Sequence, residues 1–297
     1  MKNGIIIINK EEGLSSFAVV NRVKRLMGAE KAGHTGTLDP MATGVLPVLL
    51  GRAVKASEYM LTSDKHYAAT LLLGMTTDTE DVTGTTLTVC DEIPSEETVL
   101  SAINSMLGES FQTPPMYSAL KVNGKKLYEL AREGVEIERE ARKITIHSIK
   151  AKRLGAREYE IDVKCSKGTY IRTLCADIGK KLGTGGVMKT LERVEASGFS
   201  IGEAYTLGEL EKMTEGERDS KIIPIERIFS NLPKVHLSPF FSRLARCGVE
   251  IYTKKIGFDA EVGARVTLFD EKGFFALGEV REFEDGAAIK PIKQFDT

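Results

Sequence analysis

Tryptophan is absent from this chain of 297 residues, and histidine occurs only at positions 34, 66, 147 and 236. Imidazoles so scattered do not supply the closely spaced ligand sets that metal sites need. Cysteine is equally sparse. Cys90, Cys165, Cys175 and Cys247 stand far apart with no C-x-x-C pair, the pattern of reduced thiols in a cytoplasmic protein rather than of a disulfide framework or a zinc site. Long apolar runs are missing too. The amino-terminal stretch holds four consecutive isoleucines before Asn9 and Lys10, far short of a secretory h-region or the roughly 20 residues of a membrane span. There is no G-x-x-x-x-G-K-[ST] phosphate loop, and Met188 after Gly183 and Gly185 breaks a G-x-G-x-x-G match. No metal, nucleotide or redox cofactor is therefore expected, and no membrane association.

Charge of one sign is also lacking overall, since the net charge is −1. Its distribution is uneven. Residues 116–172 hold 14 Lys and Arg against 8 Asp and Glu, whereas residues 230–297 hold 10 of each. A basic middle within an acidic remainder fits a local polyanion surface, although solvated charged faces produce the same asymmetry.

Strands and helices are mixed without βαβ regularity, which predicts an α+β fold with a mixed, largely antiparallel sheet. Gly4–Ile8 reads as a buried strand. Ser15 or Ser16 is placed to cap a helix with Phe17, Val20, Val23 and Met27 on one face, ending at Gly28. Strands are expected at Val45–Leu50, His66–Gly74, Thr85–Cys90, Ile144–Leu154 and Tyr159–Cys165. Helices are expected at Arg52–Leu61, from a Ser95 cap to Leu107, at Lys125–Glu133 and at Tyr170–Leu182. Short strand-like runs separated by glycines (GARVTLFD, FFALGEV, AAIKPI) begin near Ser230. They predict a small β-rich domain over residues 230–297 behind a catalytic domain of residues 1–229.

One stretch carries the chemistry. GHTGTLDPMATG, Gly33 to Gly44, places a single carboxylate, Asp39, among glycines, threonines and a proline. A phosphoryl-accepting aspartate would precede the Thr-Gly-Thr, and Asp39 follows it. Two readings stay open from the residues alone: a nucleophile or base in a loop stiffened by Pro40, or an Asx turn before proline.

The stretch from Gly33 through Leu50 and Gly51 resembles the catalytic loop of the TruB family, the bacterial tRNA pseudouridine-55 synthases. Asp64-Lys65-His66-Tyr67 is similar to that family's tyrosine-bearing strand. PMYSALK (Pro115–Lys121) and GKKLYELAREG (Gly124–Gly134) resemble its RNA-gripping insertion, here at about residues 110–142. CSKGTYIRT (Cys165–Thr173) resembles its arginine motif. The likeness covers roughly residues 4–215, and the tail is similar to a PUA-type RNA-binding domain. One departure lies near the start: the family usually places proline after the lysine of its first loop, and Glu11 follows Lys10 here.

The resemblance implies a tRNA enzyme that isomerises uridine in the TΨC arm without cofactor or metal. The self-sufficient chain with its basic insertion favours stand-alone tRNA recognition, as a monomer that requires no protein partner. The chemistry cleaves the N1–C1′ bond, rotates the uracil and joins C5 to C1′. Positive charge builds on the sugar, so an anionic carboxylate near C1′ is the apt catalyst. The resemblance assigns Asp39 as that catalyst, Arg172 as its cationic partner, and Tyr67 as the ring under the flipped base, with a hydroxyl able to take the C5 proton. It further implies RNA contacts by Lys10, His34, Asp78, Lys121, Lys125, Lys126, Arg132 and the apolar Leu191. Two alternatives are a silent RNA-binding or tRNA-folding protein, and a related synthase with a different RNA target.

Overall fold

The computed structural model describes residues 2–122 and 124–295. The outermost residues of the two expected domains, and residue 123 within the expected insertion, lie outside the described residues. The amino-terminal isoleucine run forms a strand, Gly4–Lys10. Alternation splits the run between two cores. Ile6 and Ile8 join the large cluster containing Val19, Val23, Leu46 and Ile178, while Ile5 and Ile7 face Val45, Leu49, Met60 and Phe199 on the opposite side. A strand buried on both faces needs no polar alternation, which accounts for the unbroken apolar sequence.

That strand is the edge of a sheet whose main path runs Gly4–Lys10, Thr43–Leu50, Gly186–Ala196, Lys65–Leu73, Glu158–Cys165, Arg142–Arg153 and Gly108–Gln112. Pairing is antiparallel along the path except where Gly186–Ala196 meets Thr43–Leu50 in parallel, with Glu192 opposite Thr43 and Arg193 opposite Gly44. Helices Ser16–Leu26 and Ile171–Leu182 contribute Val19, Val20, Val23, Leu174 and Ile178 to the larger core. The fold is α+β, as the sequence leads one to expect.

Three local expectations need correction. Ser15 caps the first helix by accepting from Ala18 N. Its buried residues are Ser16, Val19, Val20 and Val23, which puts Phe17 about 100° off the inward face, 72% exposed. Arg52–Leu61 is a 3₁₀ turn, Gly51–Ala56, continued by a short α-helix, Ser57–Leu61. The helix expected at Lys125–Glu133 is shorter, Leu127–Arg132, and a small hairpin pairing Lys121 with Lys126 precedes it.

A second sheet orders Lys234–His236, Arg265–Asp270, Gly273–Phe283, Gly286–Gln294 and Ile251–Tyr252, with a core of its own around Val266, Leu268 and Phe275. It is joined to the rest by a fourth cluster. Phe229 packs with Ala56, Leu277 and Phe295, its ring centroid 5.3 Å from that of Tyr59 and 5.8 Å from that of Phe295.

Gly44 is one of the places where the fold tolerates no side chain. Its φ is +98°, and a Cβ would lie 2.3 Å from Arg193 O. Gly134 shares the positive φ, at +72°, but faces open space. Gly134→Ala is expected to cost about 1 kcal/mol of left-handed strain. Gly44→Ala should cost more than about 2 kcal/mol, because the central sheet pairing must also shift. Urea midpoints of the two variants check this ordering.

Candidate active site

The Asp39 loop is held almost entirely by its backbone. Ser16, buried in the first helical turn, accepts from Leu38 N at 2.8 Å and donates to Leu38 O at 3.0 Å. Gly13 N donates to Pro40 O at 2.8 Å, and Ala42 N to Asp39 O at 3.1 Å. Lys10, at the end of its strand and 0% exposed, gives its Nζ protons to the carbonyls of Glu11, Pro40 and Ala42 at 2.9, 3.1 and 2.5 Å. From the other side Arg193 donates through Nη2 to Gly36 O at 3.1 Å and through Nε to Val45 O at 2.8 Å. The loop's shape is thereby fixed before any side chain in it is considered.

The Asp39 side chain is 35% exposed and meets Arg172, where Nε lies 3.1 Å from Oδ2. Arg172 occupies the first turn of Ile171–Leu182 and is 6% exposed. Its other nitrogens bind Thr79 O at 3.1 Å and Tyr117 O at 2.7 Å, and Nη1 lies 3.7 Å from Asp81 Oδ2. Burial lifts the Asp39 carboxyl above the usual carboxylate value. The Arg172 charge pulls it back, the Asp81 charge pushes it up, and Lys10 pulls it down, with burial the largest effect.

These groups open onto a cleft of about 550 Å³, within the range of small-ligand pockets. Tyr67 and Leu191 come from neighbouring strands, with Leu191 opposite Ala69 and Arg193 opposite Tyr67. Both line the cleft and are largely buried. Burial raises the Tyr67 phenol above its ordinary value, partly countered by Arg193. His34 lines the cleft as well. Burial first, and Arg193 second, lower its pKa below the usual imidazole value, so at neutral pH it is an uncharged ring and not a phosphate-binding cation.

Several expected residues fall elsewhere. Lys10 lies beneath the loop and outside the cleft lining. The carbonyl it grips at residue 11 is present with glutamate as with proline, so the departure at Glu11 leaves this clamp in place. Asp78 is exposed and accepts from Thr85 N at 2.7 Å; the acid of that loop that faces Arg172 is Asp81. Lys121, Lys125 and Arg132 are exposed on the hairpin and helix of the insertion. Lys126 donates to the Tyr128 hydroxyl at 3.0 Å, with the Arg132 guanidinium 5.4 Å from the centre of that ring. Among the described residues no cluster of three His, Cys, Asp or Glu is placed to hold a metal ion.

A model of the TruB family pseudouridylate synthase N-terminal domain matches residues 24–171, and one of the tRNA pseudouridylate synthase B C-terminal domain matches residues 172–230. A protein named tRNA pseudouridine synthase B from Clostridium tetani (strain Massachusetts / E88) is 42% identical over 278 residues, 93% of this chain and 95% of its own. The chain belongs to the TruB family of pseudouridylate synthases. The namesake from Neisseria meningitidis serogroup B (strain ATCC BAA-335 / MC58) is 44% identical over 295 residues, covering 99% of this chain and 95% of its own. Among solved structures, a chain in a Cbf5-Nop10-Gar1 complex matches with a TM-score of 0.72 at 26% identity, covering 99% of this chain and 85% of that chain.

In this TruB-family synthase three residues of the site escape a reading by sequence. Asp81 was hidden among the acids of a turn, Lys65 lines the cleft beside Tyr67, and Arg193 is 1% exposed beneath the loop. The signal for Arg193 was an arginine at an inward position of MKTLERV. Two register shifts, at Met188/Thr190 and Arg193/Glu195, break the period of two that would have exposed it.

Lys10 is the titrating member of the loop clamp, since burial lowers its pKa from 10.5 to about 8. Between these values the unfolded chain binds more protons than the folded one, so this group makes stability rise with pH. The stability of the unaltered protein relative to Lys10→Met should therefore increase between about pH 8 and pH 10.5. Paired denaturant titrations across that range test it. Lys10→Met should also turn over more slowly at every pH, since three loop carbonyls lose their donor.

Proposed function

We propose that this chain isomerises uridine to pseudouridine at position 55 in the TΨC arm of tRNA, and that Asp39, Tyr67 and Arg172 carry the reaction. One observation carries the reading: a single part-exposed carboxylate, held 3.1 Å from a buried guanidinium, opens into a cleft walled by a tyrosine and a leucine on adjacent strands. Relatives covering nearly the whole chain are named tRNA pseudouridine synthase B, which supports tRNA as substrate.

The target uridine lies within a folded arm and is flipped out at a cost of a few kcal/mol. Stacking on the Tyr67 ring, under Leu191, recovers part of that cost. Asp39 in its anionic form faces the sugar, where positive charge develops as the N1–C1′ bond breaks. Arg172 keeps it ionised against the effect of burial. The carboxylate serves either direct addition to C1′ or removal of the C2′ proton to give a glycal. After C5 joins C1′, the C5 proton leaves by way of the Tyr67 hydroxyl, whose oxygen accepts it as the phenol passes its own proton on to solvent in the cleft. Lys121, Lys125, Lys126 and Arg132 offer phosphate contacts on the insertion, and residues 230–297 act as a PUA-like domain adding contact area on the tRNA.

A synthase working inside a larger particle is the second reading, since the Cbf5 chain is found with Nop10 and Gar1. The decisive experiment is tritium release from tRNA labelled with [5-³H]uridine, using the purified chain alone. Release from tRNA carrying the uridine at position 55, and none when that base is replaced, is the expected result.

Asp39→Asn should abolish release while changing tRNA affinity by less than about tenfold, because phosphate contacts dominate binding. In the unaltered protein, activity should fall as the pH drops through a midpoint above the ordinary 3.8 of aspartate. Asp81→Asn, which removes a like charge, should move that midpoint down. Turnover by a clean Asp39→Asn preparation would remove Asp39 from its role.

Tyr67→Phe separates the ring from the hydroxyl. Single-turnover release should drop by about 10²-fold or more if the hydroxyl takes the C5 proton, with RNA binding retained. A near-normal rate would leave Tyr67 a stacking platform only.

A further inference from the structure

Buried hydroxyls are paired in folded proteins, and one left unpaired beside a cavity is poised to be satisfied by what enters it. Ser118 is such a group. It is 4% exposed, lines the cleft, and its Oγ makes no hydrogen bond of regular geometry. The Tyr170 hydroxyl lies beside it and interacts with it, which uses at most one of the contacts that a hydroxyl can make.

The surroundings hold Ser118 in place. Its backbone N donates to Met116 O at 2.9 Å, and its carbonyl accepts from Tyr128 N at 3.1 Å. The preceding carbonyl, of Tyr117, takes Arg172 Nη2 at 2.7 Å. Tyr170 is pinned in turn by Gln112, which accepts from Tyr170 N at 2.8 Å and donates to Tyr170 O at 3.1 Å. The Ser118 backbone is thus held in place, and its hydroxyl has donor and acceptor capacity to spare.

Its position identifies the part of the substrate it would meet. Ser118 sits one residue from a carbonyl bound to the same guanidinium that holds Asp39, at the carboxylate end of the cleft. Tyr67 and Leu191 wall the cleft from the sheet. If Asp39 acts at C1′, the sugar occupies the Ser118 end and the base the Tyr67 end. Within an RNA chain the 3′ and 5′ oxygens are esterified, so the free ribose hydroxyl is the 2′, one carbon from C1′. Like a serine hydroxyl it both donates and accepts, and it is the group that distinguishes RNA from DNA.

We propose that Ser118 is a substrate-binding residue that pairs with the 2′-hydroxyl of the target nucleotide and so selects RNA over DNA at that position. The inference rests on the reading of the cleft as the uridine site. A double-substitution cycle tests it. Two stem–loop RNAs with the TΨC-arm sequence, carrying uridine or 2′-deoxyuridine at the target position, are titrated by fluorescence anisotropy. The protein carries Asp39→Asn to prevent turnover, with Ser118 intact or as Ser118→Ala, each folded by circular dichroism.

With Ser118 intact, the deoxy substitution should weaken binding about fivefold, the size expected for one neutral hydrogen bond. Ser118→Ala should weaken the uridine RNA by a similar factor and the deoxy RNA by less than about twofold. Equal losses on both RNAs, or no loss on either, overturn the assignment. Tritium release from the uridine stem–loop by the unaltered protein is scored separately. Its absence would count against the uridine site itself, whereas its presence with an additive cycle would count against Ser118 alone.

Discussion

A single guanidinium ties the site together. Arg172 reaches Asp39 in the loop after the first helix, Asp81 and Thr79 O in the turn after the Lys65–Leu73 strand, and Tyr117 O in the insertion. These segments are far apart in sequence, and within this set each meets the others through that one planar group. A buried arginine is costly unless its donors are used and its charge is met. Here the bonds that satisfy it also fix the distance between carboxylate and insertion.

The charge around this group is uneven. Arg172 faces two carboxylates, and only one, Asp39, opens to the cleft; Asp81 is spent on Thr79 Oγ1, Thr83 N and Thr83 Oγ1. The Asp81 charge adds to burial in raising the proton affinity of Asp39. Arg193, 1% exposed, donates to the main-chain carbonyls of Val45 and Gly36, and its field falls on Tyr67, His34 and Lys65. The cleft has anionic character at Asp39 and cationic character near Tyr67, the arrangement that the proposed bond cleavage, with positive charge building on the sugar, calls for.

What the sequence made legible follows from locality. Asp39, Tyr67 and Arg172 each sit in a contiguous block whose residues resemble a family, and the alternation in HYAATLLLG survives intact as a strand. The strand Gly186–Ala196 went unread because two irregularities shift its phase and its outward positions are charged. Asp81 and Arg193 were invisible for another reason. Their meaning lies in partners more than 90 residues away, and only the parallel pairing at Gly44 and the approach of Arg172 bring those partners near. The resemblance makes Lys10 an RNA contact; that its Nζ is turned onto the carbonyls of Glu11, Pro40 and Ala42 depends on burial the sequence does not display.

The grip of Lys10, Ser16, Gly13 and Arg193 on main-chain atoms separates the loop's form from its spelling. Carbonyls and amides are the same whatever residue bears them, so the path of the chain around Asp39 is dictated from outside. The exposed Thr37 can in consequence be altered without moving the carboxylate, whereas Met41 packs against the main core. The scaffold residues lack that freedom. The path of the chain is thereby decoupled from the side chains it carries, and exchanges at Lys10, Ser16 or Arg193 would disturb the site without touching the Asp39 side chain itself.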